Sequence, residues 1–297
     1  MSTIGRRDFL KSTVGLSLAA SPLASMNFAQ AAEAKSPPDL KYAVKIGMIG
    51  EGKTFEEKFA LIKSIGFDGV ELNSPEDVNF EEAAQAAEKT GIKIHGIVDS
   101  IHWKIRLSDP DPAIRAQGLE GLRQALRDCK TVGGDTVLIV PGKVADSEKE
   151  NFQQVWDRST EQIKLAIPNA EKLGVKIAAE VVWNDFITKP EQLVEYVDQF
   201  KSPSIGAYFD CSNMLKYKVP SAEWIRQLGP RMLKFDFKGY SHEKTWVKIG
   251  EGDEDWPEIL NALEEINYNG WATSEVAGGG RAELQEIYDR MRKVLSI

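Results

Sequence analysis

Histidine and cysteine are both scarce in this chain: three histidines and two cysteines stand in 297 residues. Cys129 and Cys211 match no zinc-ligand spacing. A disulfide between them is open outside a reducing compartment, but their places on a predicted helix and at a strand end read as two buried free thiols. Basic runs are missing as well. The formal charge is −8 and the pI about 5.2, so no nucleic-acid partner is expected. The glycines of "GMIGEGKT" (47–54) do not make a phosphate loop, because only Glu51 separates Gly50 from Gly52. Long apolar runs are also absent. The stretch from Ser12 to Ala24 is too short to span a bilayer stably, and no membrane span is expected once the leader is gone.

That leader is legible. Gly5-Arg6-Arg7-Asp8-Phe9-Leu10-Lys11 is a twin-arginine pattern, followed by the weakly apolar stretch and by Ala32-Glu33-Ala34, which fits an A-x-A cleavage rule. The sequence predicts a twin-arginine signal peptide over residues 1–34, cut after Ala34 or alternatively after Ala31. The mature chain, 35–297, is then periplasmic or otherwise extracytoplasmic. This route exports folded proteins, which suits a protein whose metal is chosen in the cytoplasm.

After Pro37-Pro38 the chain alternates β-rich runs with segments of helical period. Predicted strands cover 42–50, 67–73, 92–99, 136–142, 175–184, 204–213, 232–240 and 270–276. Predicted helices cover 55–65, 80–90, 112–131, 151–173, 189–200, 221–229, 256–266 and 282–295. Eight βα units without a second domain predict a parallel sheet closed as a (β/α)₈ TIM barrel. The alternative, a doubly wound open sheet, lacks its glycine-rich turn after the first strand.

Barrel active sites lie at the C-terminal ends of the strands, and those ends are acidic here. Strand two carries Glu71, strand five Glu180, strand six Asp210, strand seven Asp236 and strand eight Glu275. One such carboxylate is often a helix cap. Several on one rim, set among apolar and small residues, must be paired, protonated or metal-bound, and converging oxygens suit a divalent cation. The strand "LKFDFKGY" (233–240) alternates phenylalanines with charges, so Lys234, Asp236 and Lys238 share one side.

These residues resemble the sugar phosphate isomerase/epimerase family, also called xylose isomerase-like. The resemblance covers essentially the whole mature chain and rests on "GFDGVEL" (66–72), "LGVKIAAE" (173–180), "YFDCSN" (208–213), "IGEGDEDWPEILNALEEINYNGW" (249–271) and "ATSEV" (272–276). The loop "HWKIRLSDPDPAIR" (102–115) resembles the exported branch. The resemblance implies one metal held by Glu180, Asp210, Asp236 and Glu275, with Glu180 and Glu275 as acid–base catalysts. It implies a sugar isomerase or epimerase acting by proton transfer through a cis-enediolate. Two departures stand out. Asp236 occupies the place of a family histidine, and Asn213 stands where the family often has another.

An all-oxygen shell favours Mg²⁺, Mn²⁺ or Ca²⁺ over Zn²⁺, with Mn²⁺ or Mg²⁺ expected. Lys234 and Lys238 would offset the excess negative charge. Further substrate contacts are expected from Glu71, His102, Trp103, Trp183, Asn213, Lys238 and Glu251. Glu71 is either a neighbour of the site or a helix cap. Trp183 either packs on a sugar face or closes the core. Lys248, Glu251 and Asp253 lie in a long loop read as a lid. His95 reads as a core histidine and His242 as a loop residue near enough to strand seven to act as a ligand. The rivals are a lyase or dehydratase on an oxidised sugar, a hydride-shift isomerase and a non-catalytic sugar-binding barrel. A DNA-repair endonuclease on this barrel would need more histidines and a basic groove. No phosphate-binding motif is evident, so an unphosphorylated sugar or glycoside fits an extracytoplasmic enzyme better, and a homo-oligomer stays open.

Overall fold

The computed structural model describes residues 38–296, and the leader expected over 1–34 lies outside them. Eight parallel strands close a barrel: β1 (Lys41–Lys45), β2 (Gly69–Ser74), β3 (Lys93–Asp99), β4 (Thr136–Ile139), β5 (Lys176–Glu180), β6 (Ile205–Asp210), β7 (Met232–Phe237) and β8 (Trp271–Ser274). They follow one another round the ring, and β8 returns to pair with β1. Between them run α1 (Phe55–Ile65), α2 (Phe80–Thr90), α3 (Pro112–Thr131), α4 (Phe152–Leu173), α5 (Pro190–Asp198), α6 (Ser221–Leu228) and α7 (Trp256–Glu265), and α8 (Arg281–Val294) follows the last strand. This is the expected TIM barrel.

Local chemistry sets the helix ends. Thr54 and Glu57 form a reciprocal capping box at the start of α1, as Asn151 and Gln154 do for α4. Asn79 and Asp111 cap α2 and α3 through their side chains. Gly91 and Gly174 end α2 and α4 in the left-handed region.

The apolar core lies mainly between the strands and the surrounding helices. Inside the ring, a small cluster of Leu138, Ala178 and Tyr208 shares the space with buried charges. Strand β7 follows the alternation read from its sequence. Phe235 and Phe237 face outward to Tyr268 and Trp256, while Lys234 and Asp236 are buried.

Strand β7 is shorter than expected because the chain turns at Gly239 into a ribbon pairing Tyr240–Ser241 with Thr245–Trp246. The Gly239 carbonyl accepts from the Val247 amide at 2.9 Å. A Cβ at Gly239 would meet the carbonyl oxygens of Lys248 and Val247 at 2.5 and 2.6 Å, so the approach requires glycine. Cys129 and Cys211 are buried free thiols. Among the described residues, no helix is long and apolar enough to cross a membrane.

Candidate functional site

The strand ends bring three carboxylates together. Glu180 and Asp210 are the last residues of β5 and β6, and Glu275 follows β8. Its amide donates to the Phe237 carbonyl at 3.1 Å, which fixes it beside the end of β7. Glu180, Asp210 and Glu275 each offer an oxygen, all within 4.8 Å of one another. Asp210 Oδ1 accepts from the Ser212 and Asn213 amides at 2.8 and 2.9 Å, capping a short turn. Its Oδ2 receives Lys238 Nζ at 2.5 Å, and the same ammonium reaches Glu275 Oε2 at 2.6 Å. Asn213 donates its side-chain amide to Glu180 Oε1 at 3.3 Å.

Asp236 stands beside Asp210 in the β6–β7 register yet is not in the three-carboxylate group. Its Oδ2 lies 2.9 Å from Lys45 Nζ, which also holds Glu71 Oε2 at 2.5 Å and sits 5.0 Å from the Tyr208 ring centre. The expected neutralisation of Asp236 by Lys234 is therefore replaced. Lys234 points to the opposite rim, where it pairs with Asp135 at 2.7 Å and donates to the His95 carbonyl. Glu71 is fully buried against Lys45 and caps no helix, since Asn79 does that for α2.

The charges are far from their ordinary behaviour. Burial pulls the Lys45 ammonium down, but Asp236 and Glu71 outweigh it and hold the group well above the usual lysine range. Burial, and then repulsion from Glu275, push the Glu180 carboxyl well up. Burial raises Glu275 too, but Lys45 and Lys238 prevail and hold it below its usual value. Two neighbouring carboxyls are thus driven in opposite directions, the pattern of an acid and a base. Burial also pushes Asp236 up against the pull of Lys45.

Above this group lies a cavity of about 290 Å³ lined by Lys45, His102, Trp103, Glu180, Trp183 and Glu275 among others. Asn213, Lys238 and Trp246 also face it. Trp183 stacks on Trp246 with ring centres 4.7 Å apart and donates to the Asn213 carbonyl at 2.6 Å. Trp103 is 51% exposed at the mouth. His102 is buried, accepts from the Val140 amide at 3.3 Å, and is pushed by burial down to about 3, so its ring is neutral. A second cavity of about 800 Å³ adjoins, sharing Lys238, Trp246 and Glu275.

Most of the residues singled out from sequence therefore meet at one place. Glu251 does not line the smaller cavity; it is drawn to Arg290 of α8 at 2.7 Å. The rest of its loop is also tied down, Lys248 to Glu286 and Asp253 to His242. Both His242 ring nitrogens are engaged, by Asp253 and by the Leu215 carbonyl, so it approaches no ligand site. His95 is a core residue stacked on Trp271 at 4.6 Å. Sequence reasoning missed Lys45 and Trp246. The signal for Lys45 was a lysine inside the apolar run 42–50, which ends on the same rim as the acids.

The donor set fits a divalent cation. Three carboxylate oxygens within reach of one point are what Mg²⁺ or Mn²⁺ takes, with water or substrate oxygens completing the shell.

Comparison with known proteins agrees with this architecture. The family described as xylose isomerase-like TIM barrel matches residues 59–295. The L-ribulose-5-phosphate 3-epimerase UlaE of Escherichia coli O1:K1 / APEC is 26% identical over 259 residues, covering 80% of this chain and 89% of that protein. The fold is similar to 3-keto-D-glucoside 4-epimerase, YcjR, from E. coli, with TM-score 0.75 and 16% identity over 87% of this chain and 100% of that one. It is also similar to an IOLI protein with a binding zinc atom, with TM-score 0.74 and 18% identity over 86% and 98% of the two chains. The two solved structures show the shared fold, and the likeness to the curated epimerase supports an enzyme of the isomerase class.

Proposed function

Because this chain belongs to the xylose isomerase-like TIM barrel family, we propose that it is a sugar isomerase or epimerase that moves a proton at a carbon next to a carbonyl. One observation carries the reading. Glu180 and Glu275 come from non-adjacent strands and reach one cavity, where they can flank a bound sugar. One carboxylate removes the proton and the other returns it, at a second carbon or on the opposite face. Trp183 and Trp246 supply an aromatic wall for the ring, and buried Lys45 and half-buried Lys238 keep the acidic pocket receptive to oxygen-rich substrate.

Glu180, Asp210 and Glu275 would hold a divalent cation, Mn²⁺ or Mg²⁺, which would supply positive charge for the oxygens next to the reacting carbon. Asp236, spent on Lys45, is outside that shell in this reading. Export by the twin-arginine route belongs to the same reading and rests on residues 5–11 and 32–34 of the sequence.

The test is exchange of substrate C–H for deuterium from D₂O across a panel of keto-sugars. Glu180→Gln and Glu275→Gln should each lower exchange by about 10²–10⁴-fold. Exchange retained in both variants would sink the acid–base assignment, and label carried intact into product would point to a hydride shift instead.

A further inference from the structure

Lys238 holds the oxygens that a metal would need. Asp210 has one carboxylate oxygen committed to the Ser212 and Asn213 amides, which leaves Oδ2 as its free donor. That oxygen lies 2.5 Å from Lys238 Nζ, and Glu275 Oε2 lies 2.6 Å from it. A divalent cation takes carboxylate oxygens at about 2.0–2.6 Å. An ion bound to the same two oxygens would share the lysine's position, and two cations do not share one seat.

We propose that Lys238 is the resident cation of this carboxylate group and competes with the metal for it. This rests on the reading of Glu180, Asp210 and Glu275 as the metal's ligands. The metal-free centre is thereby partly charge-compensated from within the chain, and the ion enters only as the ammonium withdraws. The backbone of Lys238 is fixed, since its amide donates to Ser212 Oγ at 3.0 Å, so the withdrawal is a side-chain movement. A second seat is at hand: the ammonium already lies 5.7 Å from the centre of the Trp246 ring, and an aromatic face attracts a cation at that range. The site therefore binds its metal more weakly than the three carboxylates alone would.

The experiment is calorimetric titration of Mn²⁺ into EDTA-stripped wild type and Lys238→Met, with melting temperatures followed in parallel. Lys238→Met should bind Mn²⁺ at least tenfold more tightly and gain more thermal stability from it than wild type does. Lys238→Arg, which keeps the charge, should remain as weak as wild type. Lys248→Met changes the net charge equally from the Glu286 ion pair on the loop and should bind as wild type binds.

Equal or weaker affinity in Lys238→Met overturns the proposal, as does a failure of both proteins to bind Mn²⁺. A similar gain in Lys248→Met overturns it too, by reducing the effect to net charge. Should Lys238→Met not fold, Lys238→Gln keeps a hydrogen-bond donor without the charge and carries the same comparison. The outcomes separate from those of the functional reading. Wild type that exchanges protons but binds Mn²⁺ as tightly as Lys238→Met overturns this inference alone. The affinity gain without any exchange overturns only the acid–base assignment.

Discussion

Asp210 and Asp236 are register partners on neighbouring parallel strands, and each is held by a different lysine. Like charges side by side in a sheet repel, and both carboxylates are fully buried. Lys238 reaches Asp210 from beyond the end of β7, and Lys45 reaches Asp236 from β1. The division leaves Asp210 grouped with Glu180 and Glu275 and commits Asp236 to Lys45.

Lys45→Met should be among the more damaging changes in the barrel. It strands Glu71 and Asp236 without their cation, and breaking a buried pair by removing one partner costs about 3–5 kcal/mol. Asp236→Asn should cost less, because Lys45 keeps Glu71. Urea denaturation of the two variants checks the order; a smaller loss for Lys45→Met would contradict the role given to this ammonium.

Glu180→Gln should separate activity from stability. The substitution removes a carboxyl that burial and Glu275 hold away from its ionised form, so the inactive variant should be more stable than wild type by on the order of 1 kcal/mol. The midpoint of chemical denaturation at neutral pH reports it, and a clear destabilisation would show that Glu180 is not strained in the resting site.

Asp99 should give the protein a pH-dependent weakness. Burial pushes its carboxyl up from 3.8 to about 7, against the pull of the Ile101 amide. The folded state thus binds this proton more tightly than the unfolded state. The resulting stability is fully present below pH 4 and is lost as pH rises to about 7. Asp99→Asn removes the dependence and should gain on wild type through that window, by up to about 4 kcal/mol at pH 8, less whatever the new amide loses unpaired. Denaturation at pH 5 and pH 8 tests it; an advantage that shrinks with rising pH has the wrong sign.

Trp246→Ala should act on binding more than on chemistry. Its ring lines the cavity stacked on Trp183 but carries no group that moves a proton. KM should rise about three- to tenfold with kcat nearly unchanged. Equal falls in kcat and kcat/KM would instead give the ribbon a part in the transition state.

Much of this was legible in the sequence, for physical reasons. Caps such as Thr54 and Asn151, and stops such as Gly91 and Gly174, mark helix ends through local hydrogen bonds and backbone freedom, so the βα alternation could be read directly. Glu180, Asp210 and Glu275 stood out because acids among apolar strand residues need a partner. Partner choice was harder. Alternation puts Lys234 and Lys238 on one side, but four residues of strand span about 13 Å, so they serve opposite rims. Lys45 falls inside the strand predicted over 42–50, but the strand ends there at a 3₁₀ turn, so its place on the rim did not show in the sequence. Trp246 lies in a ribbon two residues wide, too short for any period to show.

One ammonium from β1 binds carboxylates from β2 and β7, and that arrangement constrains how this sequence can drift. Losing the lysine alone leaves two buried acids, and losing both acids leaves a buried cation. Lys45, Glu71 and Asp236 therefore form a three-position unit of epistasis: a descendant with an apolar barrel centre is reached only by changing them together.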